Sequence, residues 1–448
     1  MGKSTTRTNH GPEGNARRLA AALTRRGPQT RKQLAQRLEI SEATLRNARD
    51  RLNEANAPGE GRAAVYTVVP EEAQLPEHVI EEVNGTTGPK SEVLMLGPGA
   101  GAAVGIEIGR GHLSVGVGDA NGCLLGDPDV RNAEHSIDAV PAPKTFAMAA
   151  RLVKKQLREC GIDAGDIRGV GVSLPGPIGL DGHTLAHAIS TNYQDIDIPT
   201  KFEKELAKVA GVKARVFVEN DVDVLARGEQ RYGKGYGLRD FMVIKHSGGI
   251  GAGIVADERL VRGRGGGGAG EIGHCRVSPD ALVAEAPSLQ GVKEPQCKCQ
   301  GFCHLEAYAG GDAIVERILE LQKRKDPGFE KDAPLPVQLD EAMKLAREGR
   351  EPHRQVVMDA AALVGYAINT LIHLFNPERV LICGKLSEMG EPFLKAIREE
   401  CRDQKLLFGA VDQIIDLGAG NDLEERRRIS VGGAVTTALR KAPPRLAY

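Results

Sequence analysis

Residues 241–256 read FMVIKHSGGIGAGIVA. Phe241–His246 is a nearly continuous apolar run of the buried-strand kind. Ser247–Gly253 reads as a glycine turn, and Ile254–Ala256 as a second strand. An earlier stretch opens in the same way. Ala102–Ile108 predicts a strand, Gly109-Arg110-Gly111 a turn and Leu113–Val117 a second strand, with Gly122–Leu125 opening a third. Two segments that each begin strand, glycine turn, strand predict two α/β lobes with a cleft between them. Such turns can bring backbone N–H groups against phosphates. The glycines at 249–253 fit the dinucleotide fingerprint only loosely and run into a strand, not a helix, which excludes a Rossmann site.

Between these two openings the pattern alternates. Thr145–Cys160 predicts a helix and Ile167–Leu174 a strand closed by Pro175-Gly176-Pro177. Lys201–Ala210 predicts a helix, Ala214–Glu219 a strand, and Asp221–Glu229 a further helix. Asn220 and Asp221 therefore sit at the carboxyl end of a strand, where open α/β sheets bind ligands. Arg262–Gly270 carries six glycines and reads as a mobile loop that lets Glu271 approach a ligand.

The chain has 448 residues, of which 41% are hydrophobic and 27% charged, enough for two to four domains with real cores. Trp is absent and aromatics make up 4%, which argues against an aromatic-walled site. No apolar run approaches the length of a membrane span, and Met1–His10 is polar. A cytoplasmic protein is expected, with its eight cysteines reduced.

The net charge of −1 hides an asymmetry. Residues 1–62 hold thirteen Lys and Arg against six Asp and Glu, so a basic head precedes an acidic body. Helices are predicted over Ala16–Arg25, from a cap at Thr30 through Leu38, and from a cap at Ser41 to Glu54, with a tight turn at Glu39-Ile40. This is a helix-turn-helix pattern. Leu45, Ala48 and Leu52 face inward, leaving Glu42, Thr44, Arg46 and Asn47 toward DNA. Arg46 and Asn47 are the best base readers, since Arg pairs with guanine and Asn with adenine. Arg17, Arg18, Arg31 and Lys32 suit phosphates. Arg62–Val69 alternates like a strand and forms a candidate wing. The predicted domains are a DNA-binding head at 1–70, an acidic Gly/Pro-rich linker at 71–101 with a helical turn at Val79–Val83, a small lobe at 102–225 joined by 430–445, and a large lobe at 226–429.

The densest local chemistry lies between Glu271 and Glu306. Glu271-Ile272-Gly273-His274 is followed by Cys297-Lys298-Cys299 and Cys303-His304-Leu305-Glu306. A Cys-x-Cys pair with further soft donors and a His suits closed, structural tetrahedral zinc. A cluster of unliganded thiols is the alternative. Cys123, Cys160, Cys275, Cys383 and Cys401 lack such company and read as core residues.

These motifs together resemble the ROK family, which unites sugar kinases and sugar-responsive repressors. The family's Glu-x-Gly-His is Glu271–His274, its Glu-Asn-Asp is Glu219-Asn220-Asp221, and its cysteine motif falls without gaps on Cys297–Glu306. The body resembles the family over about residues 102–440, and the head resembles the winged helix-turn-helix of the repressor branch. The resemblance implies an actin-like (ribonuclease H-like) α/β fold of two lobes with sugar in the cleft. It implies sugar contacts from Asn192, Asn220, Asp221, Glu271, His274 and Glu306. It implies zinc on His274, Cys297, Cys299 and His304, with Cys303 as the alternative to His304. His274 would then face zinc with one ring nitrogen and sugar with the other.

Where kinases of the family read Asp-x-Gly-x-Thr, this chain has Glu107-Ile108-Gly109-Arg110-Gly111. Where they read Gly-Thr-Gly, it has Ser247-Gly248-Gly249, and Lys385 follows Cys383-Gly384 where they carry a glycine run. Phosphoryl transfer rests on positioning and charge stabilisation, so these losses strike the kinase reaction while leaving sugar binding intact. The expectation is a sugar-responsive regulator of transcription, a repressor acting as a homodimer or homotetramer on double-stranded DNA, without ATP or Mg²⁺. The alternative is an ATP-dependent sugar kinase with an added DNA-binding head, in which Asp221 would be the catalytic base.

Overall fold

The structure, a computed structural model, describes residues 11–56, 64–68, 93–132, 140–182, 184–185, 193, 196–264, 267–277, 286–325, 335–402, 414–419, 423–444 and 446. The head is built from α1 (Pro12–Arg26), α2 (Arg31–Arg37) and α3 (Glu42–Ala55). Pro12 starts α1 earlier than the apolar spacing suggested, because proline fits the first helical turn. Thr30 and Gln33 form a capping box at α2: Gln33 N donates to Thr30 Oγ1 at 3.2 Å, and Thr30 N donates to the Gln33 side chain at 2.9 Å. Ser41 caps α3 by accepting from Thr44 N at 3.1 Å. Glu39 takes the left-handed conformation that the tight turn requires (φ 51°). Leu19, Leu23, Leu34, Leu45 and Leu52 close one core, as the spacing required.

Among the described residues, three short strands complete the head: β1 (Gln29–Thr30), β2 (Val65–Val68) and β3 (Val93–Leu96), in the antiparallel order β1-β3-β2. The stretch expected as linker, 71–101, thus ends in a strand of the head. Val93, Leu94 and Leu96 are buried, an apolar island inside a Gly/Pro-rich run. Arg62 and the turn expected at Val79–Val83 lie outside the described residues.

The first lobe carries β4 (Ala102–Ile108), β5 (His112–Gly118), β6 (Asp129–Asn132), β7 (Ile167–Leu174) and β8 (Arg215–Asn220), ordered β6-β5-β4-β7-β8. The second carries β9 (Phe241–His246), β10 (Ile250–Ala256), β11 (Arg259–Leu260), β12 (Arg379–Cys383) and β13 (Ile415–Leu417), ordered β11-β10-β9-β12-β13. Each sheet is an antiparallel meander extended by two parallel strands. This repeated topology is the actin-like pair of lobes.

Two strand boundaries need correction. The third strand of the first lobe is 129–132 and not 122–125. Residues 119–123 form a turn in which the Asp119 carboxylate accepts from Asn121 N and Cys123 N at 2.9 and 2.8 Å. In the second lobe only Ser247-Gly248-Gly249 turns, and Gly251 and Gly253 belong to β10. A helix, α6 (Asp221–Tyr232), crosses them so closely that a Cβ on Gly253 would stand 2.7 Å from Ala226 Cβ. Those glycines admit a neighbouring element and do not mark a bend.

Helices α4 (Ala142–Glu159) and α5 (Ile198–Ala210) cover the first sheet. The second is covered by α7 (Leu305–Ala309), α8 (Gly311–Lys325), α9 (Leu335–Arg347), α10 (His353–Phe375) and α11 (Glu391–Glu399). Helix α10 has the length and apolarity of a membrane span, but Val356, Val357, Ala361, Leu363, Val364, Ile368 and Ile372 lie in the core of this lobe. The last helix, α12 (Leu423–Lys441), returns to β4, β7 and α6. Gly228 of α6 meets the Ile429 carbonyl, and Gly433 of α12 meets the Val224 carbonyl. A Cβ at either would collide with the other helix's backbone.

Candidate effector cleft and metal cluster

Helix α6 begins where β8 ends, and its N-terminus faces the cleft. Asn220 is its N-cap: Oδ1 accepts from Val222 N at 2.8 Å, and Nδ2 donates to the Gly176 carbonyl at 2.9 Å. Both ends of the Asn220 amide are therefore engaged in positioning Asp221. Asp221 is half-buried, and its Oδ2 accepts from Lys245 Nζ at 2.6 Å. Lys245 stands at the end of β9, also near Glu107 at the end of β4. Burial works against its charge, yet Asp221 and Glu107 hold the ammonium above its usual range. Burial also acts to raise the Glu107 carboxyl, but His112, Lys245 and Ser430 outweigh it and hold the group low.

Three carboxylates converge here. Burial pushes the Glu271 carboxyl up to about 7, and the charges of Asp221 and Glu306 add to the effect. Glu306, in the first turn of α7, accepts from Ile250 N at 2.9 Å and lies against Gly249. His274 Nε2 is 3.8 Å from Glu271 Oε2, while its Nδ1 is 3.6 Å from Cys297 Sγ. One imidazole thus links the carboxylates to the cysteine loop. The cluster can accept and donate hydrogen bonds to the vicinal hydroxyls of a polyol. Asn192 lies outside the described residues.

His274, Cys297, Cys299 and His304 bring four donor atoms within 4.8 Å of one another. Cys299 Sγ stands 3.2 Å from His304 Nδ1. Metal–nitrogen bonds of about 2.0 Å and metal–sulfur bonds of about 2.3 Å put tetrahedral ligands roughly 3.3–3.8 Å apart, so a two-nitrogen, two-sulfur set at these spacings fits zinc. Burial pushes the Cys297 thiol up to about 11, and a divalent cation is the charge that would favour its thiolate. Cys303 is 4% exposed, packs in the large-lobe core, and is not among the four donors. Cys275, expected in a core, is exposed.

Arg110 and Lys385, in two of the turns expected to depart from the kinase pattern, are both held by carboxylates. Arg110 Nη1 donates to both oxygens of Asp312 at 2.8 and 2.9 Å and covers Gly248. Lys385 Nζ pairs with Asp340 at 2.7 Å and Glu388 at 3.1 Å. Sequence reasoning missed Lys245 and Asp312. No local spacing signals them, because Arg110 and Asp312 are 202 positions apart.

On the head, Arg31, Lys32, Glu42, Arg46 and Asn47 are exposed. Thr44 is half-buried, with its hydroxyl 2.9 Å from Ser41 Oγ. Arg18 departs from its expected phosphate role: it donates to the Leu38 carbonyl at 2.7 Å and struts α1 against the α2–α3 turn.

The sequence model of the ROK family matches residues 103–416. The chain belongs to the ROK family. The xylose repressor of Caldicellulosiruptor bescii is 24% identical over 326 residues, covering 72% of this chain and 76% of that protein. The glucokinase of Thermotoga maritima is 30% identical over 67% of this chain and 87% of its own length. A solved ROK family transcriptional regulator, a homologue of the Escherichia coli Mlc protein, superposes with a TM-score of 0.64 at 20% identity, covering 96% of this chain and 97% of that one. The glucokinase covers 67% of this chain, whereas the fold of the ROK regulator covers 96% of it and so takes in the head.

Proposed function

We propose that this ROK protein is a sugar-responsive, DNA-binding regulator of transcription, acting as a repressor. It would sense a sugar or sugar derivative in the inter-lobe cleft. The observation that supports this reading is the head itself, three helices with a tight turn before the last and a small sheet beside them, joined to a cleft where carboxylates and a histidine converge. Arg46 and Asn47 read bases in the major groove, and Arg31 and Lys32 meet phosphates. Glu42 and Thr44 flank them at the start of the reading helix. The reading places the protein with the chromosome, in the cytoplasm, as a homodimer or homotetramer whose paired heads match a near-palindromic operator.

Asp221, Glu271, His274 and Glu306 hold the sugar, with Asn220 orienting Asp221 by capping its helix. Zinc on His274, Cys297, Cys299 and His304 would be structural and would fix the cysteine loop. Helix α6 then carries the signal. At about 1.5 Å per residue its twelve residues span ~18 Å. It starts at the sugar carboxylate and ends at Arg231 and Tyr232. Arg231 donates to the Arg26 carbonyl at the end of α1 and to the Asn121 carbonyl. Asn121 in turn holds Leu96 of β3 through bonds of 2.6 and 2.9 Å. Arg26 pairs with Glu258 of the large lobe. A ligand that binds the closed and open lobes unequally moves these contacts.

The test is operator binding by fluorescence anisotropy across a panel of sugars, sugar phosphates and ATP, alongside a thermal shift of the free protein. One sugar that stabilises the protein and changes DNA affinity is the expected result. ATP-dependent sugar turnover that is lost in Asp221→Asn would establish the kinase instead.

A further inference from the structure

Among the ion pairs that tie elements of the two lobes together, which include Arg262 with Glu219, two run in opposite directions. Lys245, from the large-lobe strand β9, reaches Asp221 at 2.6 Å, beside Glu107 of the small lobe. Arg110, from the small-lobe turn after β4, reaches Asp312 at the start of the large-lobe helix α8. Asp312 also pairs with Lys298, between the two cysteines of the metal cluster. The Asp312 side chain is only 9% exposed, and that of Arg110 is 23% exposed, so the pair is largely shielded from solvent. Asp312 is fixed from behind as well: its N–H donates to the Gly248 carbonyl at 3.3 Å, and Gly311 N donates to the Ser247 carbonyl at 2.8 Å. The guanidinium therefore rests on the second glycine turn, the place a nucleotide's phosphates would need.

We propose that Arg110 is a positioning residue, an internal clasp that closes the lobes through Asp312 and fills the phosphate region with the protein's own cation. Closure then requires no nucleotide. Because Asp312 also holds Lys298, the clasp links lobe closure to the cysteine loop that carries His274's partners. A side chain without a formal charge at 110 would leave Asp312 paired only within its own lobe, and the cleft would lose its tie on that side.

The lobe distance tests this on the full chain. A spin-label pair on keto amino acids introduced at 154 and 344, both exposed helical positions on opposite lobes, leaves the native thiols untouched. Arg110→Gln and Asp312→Asn should each shift the main distance peak to longer and broader values. Arg110→Lys should stay near wild type. The double variant should move no further than either single, because both remove one shared contact. Mg²⁺ with a non-hydrolysable ATP analogue should neither shorten the wild-type distance nor give heat on titration. Unchanged distances in the single variants, additive shifts in the double, or nucleotide binding by the wild type would each overturn the clasp. The distance needs no sugar, so this failure is separate from a failure of the sensing reading, which the anisotropy panel reports.

Discussion

Arg231→Met tests how the body holds the head. Arg231 is 7% exposed and gives charge-assisted hydrogen bonds to two backbone carbonyls, Arg26 O in the head and Asn121 O in the loop that grips β3. The Arg26 carbonyl is one of the four that a helix C-terminus leaves without an intrahelical partner. Hydrogen bonds to a charged group contribute about 1.5–3 kcal/mol each. Methionine keeps the apolar stem but removes both. Water can reach the freed carbonyls in part, which brings the net loss of docking energy to ~2–3 kcal/mol. At 1.36 kcal/mol per decade, that is roughly a 30–150-fold rise in local opening. Hydrogen exchange by mass spectrometry should show this acceleration in residues 12–26 and 93–96, with α4 and α10 unchanged. Operator affinity without effector should persist, and the effector's influence on it should shrink. If exchange in the head stays at wild-type rates, or the full effector response survives, α6 is not the connection between cleft and head.

Other substitutions report on separate parts. Arg46→Ala, at an exposed position of α3, should weaken specific operator binding by about 1–3 kcal/mol and relax one base preference, read by anisotropy on a set of single-base operator variants. Cys297→Ser, Cys299→Ser and His304→Ala should each abolish metal retained after dialysis, measured by plasma mass spectrometry, whereas Cys303→Ala should keep it. Asp223→Asn tests the buried acid behind the cleft. Burial, then Glu219, pushes the Asp223 carboxyl from 3.8 to about 7. An acid raised in the folded state is fully compatible with folding below its unfolded value, and it withdraws stability as pH climbs from about 4 to about 7. The asparagine variant should match wild type near pH 4 and exceed it above pH 7 by up to ~4 kcal/mol. Calorimetry at several pH values measures this, and a difference independent of pH would refute it.

The elements whose signal is local came through the sequence with their boundaries nearly intact. Ile167–Leu174 and Phe241–His246 fall where the apolar runs put them, and Thr30 and Ser41 cap the helices they were expected to cap. Failures arose where a residue answers to something distant. Gly251 and Gly253 look like a turn in sequence, but they are strand residues thinned to let α6 pass. Val93–Leu96 looks like apolar debris in a linker until its partners at 29–30 and 65–68 are brought beside it. Asn220 reads as a sugar contact, and only the fold adds that its amide also caps α6 and holds the Gly176 carbonyl. Cys303 and His304 are equivalent by composition, and only the fold turns one into the core and the other toward the donor cluster.

The sequence by itself determined what depends on neighbours along the chain: the basic head, the strands, the caps, the repeated opening of the two lobes and the donor types of the cysteine loop. Periodicity, capping and charge are short-range properties, and a single strand of text carries them. Only the tertiary structure decided which charges meet. Lys245 with Asp221, Arg110 with Asp312 and Arg231 with the end of α1 join residues from 24 to 205 positions apart. Electrostatic energy falls with distance in space and is blind to distance in sequence. The pairs that hold the cleft and the head come into being only when the lobes are folded against each other.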